Sequence, residues 1–143
     1  MLFCKQQVSL LLALLLAFVP EVAAFQKRVP TLNEEAARYL EFLREELAEL
    51  DFQLDKGEIS RPLYQRAVTK IEIIKGLVIR YGKADNQRLP EFHVLTSDDL
   101  QSFIPDGLSK LKQAKKDQII DGKWRYLGKT VKRETFYMLE RLD

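Results

Sequence analysis

"LDKGEISRPLY", residues 54–64, separates two long helical patterns and decides how they are arranged. Lys56 suits the negative end of a helix dipole, and Gly57 suits the left-handed conformation that commonly ends a helix. Ser60 is a favourable N-cap for the next helix, and Pro62 falls in its first turn, where a missing N–H costs nothing. The stretch therefore predicts a corner at which the chain reverses direction. A ligand-binding loop is the alternative.

The pattern before the corner predicts an amphipathic helix. Thr31 or Asn33 can cap its start, and Glu34 and Glu35 suit the positive end of its dipole. Apolar residues then recur at alternating spacings of four and three, which is the heptad pattern of a coiled-coil seam. These residues are Ala36, Leu40, Leu43, Leu47, Leu50 and Leu54.

The pattern after the corner predicts a second helix, whose seam consists of Tyr64, Ala67, Ile71, Ile74, Val78 and Tyr81. Residues 31–60 hold nine acidic and three basic residues, whereas residues 61–88 hold seven basic and two acidic ones. Facing seams with complementary flanks predict an antiparallel helical hairpin over residues 31–82, in which the charges select the orientation. The candidate association seam consists of Leu40, Leu43, Leu47, Leu50, Ile71, Ile74 and Val78.

The corner and its flanks also resemble a known family. GEIS at residues 57–60, followed by the aromatic Tyr64 and the aliphatic Ile71, resembles the short C-terminal oligomerisation domain of bacterial proteins. The resemblance covers residues 40–75, and the family pattern is a leucine-bearing helix, a glycine, Ile-Thr/Ser and an aromatic residue. It implies a bacterial protein with a small helical association element and no catalytic role for that element.

Residues 91–143 predict a small α+β module, joined to the hairpin by a polar linker over residues 83–90. EFHVL is typical of a strand, and Thr96 with Asp99 has the capping-box spacing of a short helix. An Asp-Gly pair at 121–122 predicts a β-hairpin, and a second turn is expected within the TVKR stretch. The predicted fold class is α+β, an antiparallel helical hairpin followed by a small module of three to four antiparallel strands with a short helix. Neither unit can bury much core alone, so we expect the two to pack together or two chains to pair.

The first 24 residues have the layout of a secretory signal peptide. Lys5 precedes an apolar run over residues 8–19, and small residues lead up to Ala24, where a signal peptidase would cut. The run is shorter than the roughly 18 apolar residues of a membrane span. We therefore expect an exported protein, periplasmic or secreted, with a membrane anchor made by the uncleaved segment as the alternative. The single cysteine, Cys4, lies in this segment, so the mature chain is expected to form no disulfide.

Residue types that usually carry catalysis are sparse. His93 is the only histidine and has no evident acidic partner in the sequence, so we expect it to be structural. Glu41, Glu45 and Glu49 share one helical face, which predicts a solvated acidic surface, with weak cation binding as the alternative. The common nucleotide-binding and hydrolase motifs do not occur in the sequence. We expect no enzyme activity, no metal site and no cofactor.

The C-terminal region is basic, with ten cationic and five acidic residues over residues 108–143. Strand alternation places the apolar side chains in a core and the cations in water; these apolar residues are Trp124, Tyr126, Phe136 and Met138. The alternative is a face that contacts a polyanion, with Lys115, Lys116, Lys132 and Arg133 as the candidate contacts. A net charge of only +2 does not favour a nucleic-acid partner.

The sequence thus predicts an exported, non-enzymatic module for protein–protein association, with another protein or a second copy as its partner. The alternative is an envelope binding module whose basic C-terminal face contacts anionic lipid, glycan or another polyanion.

Overall fold

The structure is a computed structural model that describes residues 31–86 and 88–142. Its helices are α1 (Glu34–Asp55), α2 (Arg61–Tyr81), α3 (Ser97–Phe103) and α4 (Gly107–Gln113). Its strands are β1 (Phe92–Leu95), β2 (Ile119–Ile120), β3 (Trp124–Val131) and β4 (Thr135–Arg141). The predicted α+β class is confirmed. The predicted signal peptide, residues 1–24, lies outside the described residues.

Local hydrogen bonds form the corner between α1 and α2. The N–H of Gly57 donates to Leu54 O at 3.0 Å, and the N–H of Glu58 donates to Gln53 O at 2.9 Å. This pair of bonds is the Schellman motif, which needs a left-handed residue at Gly57, where φ is +72°. Ser60 then caps α2 by accepting a 3.4 Å hydrogen bond from the next turn. The predicted helix–corner–helix is confirmed.

At the end of the hairpin away from the corner, the start of α1 packs tightly against the end of α2. Asn33 is the N-cap of α1, and its Oδ1 accepts from Ala36 N at 2.7 Å. Its own N–H donates to Gly82 O at 2.9 Å, which ties the start of α1 to the end of α2. A Cβ atom on Gly82 would lie 2.3 Å from the Cβ of Ala36 and 2.7 Å from Val78 O, so only glycine fits there.

The sheet has four antiparallel strands in the order β1-β4-β3-β2. The predicted Asp121-Gly122 turn joins β2 to β3, with both residues at positive φ. The second turn lies at residues 132–134, because the β-branched Thr130 and Val131 extend β3 beyond the start of the TVKR stretch. The register shifts between Tyr126 and Gly128, where Leu127 is an extra residue of β3 opposite β4, which is a β-bulge.

Both faces of the sheet are covered, which gives three layers. On one face the short helices contribute Leu100, Ile104 and Leu111 to a core with Tyr126 and Leu139. The opposite core joins the hairpin to the sheet and consists of Ala36, Leu77, Val78, Phe92, Val94, Leu127 and Phe136. The expectation that the two predicted units pack together is therefore confirmed.

The four aromatic and apolar residues predicted for the core are divided between these two layers. Tyr126 is buried and Trp124 half-buried on the short-helix side, while Phe136 is buried and Met138 half-buried on the hairpin side. Successive residues of a strand point to opposite faces of the sheet, and the two pairs lie on different faces. All four side chains can therefore be buried or half-buried only because both faces are packed.

Ion pairs connect the hairpin to the β3–β4 turn and to the start of α3. Arg66 Nε of α2 lies 2.7 Å from Glu134 Oε1, and Lys70 Nζ lies 2.6 Å from Asp99 Oδ2. Within residues 31–86 and 88–142, no ion pair joins α1 to α2. The prediction that opposite charges of the two helices pair with each other within the hairpin is therefore wrong, because cations of α2 bind acids of the β3–β4 turn and of α3.

Candidate association surface

The predicted seam lies inside the molecule. Leu43 and Val78 are buried, and Leu40 and Ile74 pack against the hairpin-side core. The remaining seam residues are half-buried nearer the corner; they are Leu47, Leu50 and Ile71. Much of the seam therefore stabilises the chain's own hairpin, and a different face of the helices is exposed.

That other face lies opposite the buried side of each helix. Phe52 lies nine positions from the buried Leu43, which is half a rotation round the helix, and it is 52% exposed. Ile79 lies two positions from the buried Leu77, roughly 200° away, and it is 39% exposed. Residues at the same helical angles complete this surface, which we name the back face. The back face includes Arg38, Glu41, Glu45, Ala48, Phe52 and Asp55 of α1 and Arg61, Val68, Glu72, Lys75 and Ile79 of α2.

Charge is divided between the two halves of the back face. The α1 half carries Glu41, Glu45 and Asp55 with one cation, Arg38, and the α2 half carries Arg61 and Lys75 with one acid, Glu72. Glu41 pairs with Arg44 on its own helix, and Lys75 lies 3.8 Å from Glu72 on its own helix. In the described part of the chain, Asp55 and Arg61 form no ion pair. The back face is thus a predominantly acidic stripe beside a predominantly basic stripe, with apolar side chains interspersed along each.

A cross-helix hydrogen bond sets the relative height of the two stripes. The hydroxyl of Tyr64 donates to Asp51 Oδ1 at 2.6 Å, so these two residues lie level. The hydrogen bond to Asp51 stabilises the protonated phenol and raises the pKa of Tyr64. Counting outward from it in the antiparallel hairpin, Asp55 lies level with Arg61, and Glu41 lies level with Lys75.

The candidate polyanion contacts lie in two separate places. Lys115 and Lys116 follow α4, and Lys132 and Arg133 form the turn between β3 and β4. All four are exposed. Asp117 N bonds to Tyr126 O, and the β3–β4 turn lies six positions further along, roughly 20 Å at about 3.3 Å per residue. These cations therefore form two pairs at different points of the sheet rather than one compact patch.

His93 has an acidic partner, contrary to the sequence interpretation. Its Nε2 lies 2.8 Å from Oε1 of Glu91, and its ring packs edge-on against Trp124 at 5.0 Å between ring centroids. This hydrogen bond and the Arg141 charge hold the pKa of Glu91 below its usual range. The signal was present in the sequence, because residues two apart on extended backbone share a face. His93 and Glu91 can share a proton, but Glu91 is the only acid bonded to this histidine in the described residues.

Across the described ranges, no group of three or more His, Cys, Asp or Glu residues is placed to hold a metal ion. The same ranges contain no helix both long and apolar enough to cross a membrane. No protein family, curated protein or solved structure matches this chain. The resemblance of residues 40–75 to an oligomerisation domain stays a prediction.

Proposed function

We propose that this protein is a non-catalytic association module that pairs with a second copy of itself through the back face of its hairpin. The observation that carries the proposal is the division of that face into a predominantly acidic and a predominantly basic stripe. Asp55 and Arg61 lie level at its corner end without an ion-pair partner in the described part of the chain. A surface of this kind is complementary to itself once it is turned by half a rotation.

The arrangement that satisfies both stripes is a two-fold dimer. A two-fold axis parallel to the helices lays α1 of one copy over α2 of the other, with the two chains antiparallel at each contact. Heights along the axis are unchanged by this rotation, so Asp55 of one copy faces Arg61 of the second copy. The apolar side chains of Phe52 and Ile79 then lie inside a four-helix arrangement, the geometry of antiparallel bundles.

The size of the back face sets the strength of such a dimer. Helices of this length are about 30 Å long and about 10 Å wide each, so the face presents about 600 Å² per copy. Standard interfaces bury about 800 Å² per partner. We therefore expect a dimer that forms with increasing protein concentration rather than an obligate one.

We place this assembly outside the cytoplasm, in the periplasm or in the medium, on the strength of the signal-like residues 1–24. A polyanion-binding role has less support, because its four candidate cations lie in two separate pairs.

The apolar part of the back face gives the test. Phe52→Ser should shift the sedimentation-equilibrium mass toward the monomer and raise the dimer dissociation constant about tenfold, since one exposed aromatic anchor is lost. Val131→Ser is the matched control, because Val131 is 66% exposed at the end of β3, outside the back face, and its substitution should leave the dissociation constant unchanged. A Phe52→Ser protein that associates as strongly as the unmodified one would refute the proposal.

A further inference from the structure

A cleft of about 790 Å³ lies between the first half of α1 and the end of the sheet. One wall is α1, and the other is formed by residues 88–92 and 140–142. This volume lies within the range of small-molecule sites, about 300–1,000 Å³, which often occur where two units of a protein meet. Tyr39 of the cleft lies nine positions from Ala48 of the back face, half a rotation round α1, so the aromatic wall of the cleft faces away from the proposed dimer surface, and Arg38 lies at the edge between the two.

The apolar lining of the cleft is largely aromatic. The rings of Tyr39 and Phe42 stack with centroids 5.9 Å apart and planes 12° apart. Phe42 is 48% exposed, whereas Phe92 on the facing wall is buried. Leu89, Pro90 and Leu142 add further apolar surface. A flat aromatic ring entering the cleft can therefore stack on a surface that is already assembled.

The acids of the cleft already accept hydrogen bonds. Glu35 Oε2 accepts from the backbone N–H of Leu89 at 2.8 Å, and Glu140 Oε2 accepts from Arg125 at 3.0 Å. Glu91 Oε1 is bonded to His93 at 2.8 Å. These carboxylates are therefore part of the protein's own network, and a ligand cation would have to compete with their internal donors.

Two cations in the cleft keep donors to spare. Arg38 lies 3.6 Å from Glu34, and its side chain is 75% exposed. Arg141 reaches Glu91 at 3.6 Å, which is longer than a hydrogen bond of normal length. A guanidinium has five N–H donors and binds carboxylate or sulfonate oxygens in pairs. Burial and the Glu91 charge raise the pKa of Tyr39, so its phenol also remains a protonated donor at neutral pH.

We propose that this cleft binds a small planar aromatic acid. The ring of the ligand stacks on Phe42 and Tyr39, and its anionic group accepts hydrogen bonds from the guanidinium groups of Arg38 and Arg141. The cleft supplies donors and an apolar platform together, and this combination selects an aromatic anion over a cation or a neutral sugar.

The probe for this site is 8-anilinonaphthalene-1-sulfonate, a planar aromatic anion whose fluorescence rises on binding. We expect one site per chain. Phe42→Ala and Arg38→Glu should each weaken binding about tenfold, the loss typical of one aromatic contact or one charge-assisted hydrogen bond. Trp124 is the only tryptophan, and its strand partner is Arg141 of the cleft, so bound probe should quench Trp124 emission by energy transfer.

Matched variants outside the cleft are the controls. Phe103→Ala removes another exposed aromatic residue, and Arg133→Glu reverses another exposed cation; both should leave the affinity unchanged. Asp55→Arg, which addresses the dimer surface, should also leave it unchanged, so failure of one proposal is distinguishable from failure of the other. Thermal unfolding of each variant verifies that the fold is kept.

Three results would overturn the proposal. The first is absence of saturable binding. The second is an equal loss in Phe42→Ala and Phe103→Ala, which would mean that the probe adsorbs to exposed rings in general. The third is equal affinity for the uncharged analogue N-phenyl-1-naphthylamine together with no effect of Arg38→Glu, which would make the cleft a site for neutral apolar molecules.

Discussion

At the scale of the residue, two glycines of the hairpin should respond oppositely to the same substitution. Gly57 is held at positive φ, so Gly57→Ala should destabilise the protein by about 1 kcal/mol. Gly76 lies inside α2 with open space where a Cβ would be, so Gly76→Ala should stabilise by about 0.5–1 kcal/mol. Urea unfolding of both variants measures the difference. A change of the same sign in the free energy of unfolding of both variants would contradict a left-handed conformation at Gly57.

Gly82 should be more sensitive than Gly57, for a different reason. Its φ of −84° suits any residue, so the constraint is the space occupied by Ala36 and the carbonyl of Val78. We predict that Gly82→Ala costs about 3 kcal/mol, the upper part of the range for forcing an extra carbon into a packed site. Thermal unfolding would measure this cost. Adding Ala36→Gly to Gly82→Ala should recover part of the lost stability. If it recovered none, contact with the Ala36 side chain would not be the cause of the loss.

Residue roles could be predicted where they are local. The Gly57 corner, the Ser60 cap and the Thr96 capping box depend only on neighbours within four positions, and all three are present. The role of Gly82 could not be predicted, because the atoms that crowd it belong to the other helix. The Glu91–His93 pair is local and was missed, because proximity was judged along the chain rather than along one face of a strand.

At the scale of the element, the ion pair that joins α2 to the start of α3 should make stability depend on pH. Lys70 donates to Asp99, and this bond, together with those from Thr96, lowers the pKa of Asp99. A carboxyl whose folded pKa is lowered adds stability that is fully present above its unfolded pKa, about 3.9, and is lost as the pH falls through the folded value. Asp99→Asn should therefore cost about 1 kcal/mol at pH 7. The cost should shrink as the pH falls below about 4.

Asp98→Asn is the control for this prediction. Asp98 lies in the same first turn of α3, is exposed, and forms no hydrogen bond or ion pair in the described part of the chain. Urea unfolding of both variants at pH 7 and near pH 2.5 separates the two roles. A destabilisation by Asp99→Asn that stays constant down to pH 2.5 would mean that the ion pair contributes nothing.

Elements were predictable from periodicity, but the contacts between them were not. The alternation in β3 and β4 predicts strands, yet it does not reveal that both faces of the sheet are covered. Arg66 and Lys70 show the same limit: their sequence neighbours suggest pairing with α1, whereas their partners lie in the β3–β4 turn and in α3. The charges in a sequence show how many oppositely charged side chains are available for ion pairs. Which of them form pairs depends on the tertiary fold.

At the scale of the whole molecule, export is a prediction about residues 1–24. We expect the protein recovered outside the cytoplasm to begin at Phe25, since Ala24 ends a small-residue motif for signal peptidase. N-terminal sequencing of the exported protein reads this directly. Retention of Met1 on a membrane-bound protein would favour the uncleaved anchor.

Assembly is the property least accessible to the sequence. The apolar seam was the obvious candidate for association, but packing of the chain on itself conceals Leu43 and Val78. The position of Phe52 off the seam predicts that the hairpin leaves it uncovered, but only the tertiary fold shows that no other element covers Phe52 or Ile79. The cleft beside Tyr39 likewise exists only between two units that the sequence predicts separately.

The most direct measurement is the sedimentation-equilibrium mass of a charge-swap series at the corner end of the back face. Asp55→Arg and Arg61→Asp should each shift the equilibrium toward monomer, because each places like charges opposite one another across the two-fold axis. The double variant restores the opposite charges and should recover the dimer affinity of the unmodified protein. Monomeric mass for the unmodified protein at every concentration, or no effect of either single reversal, would contradict association through this face.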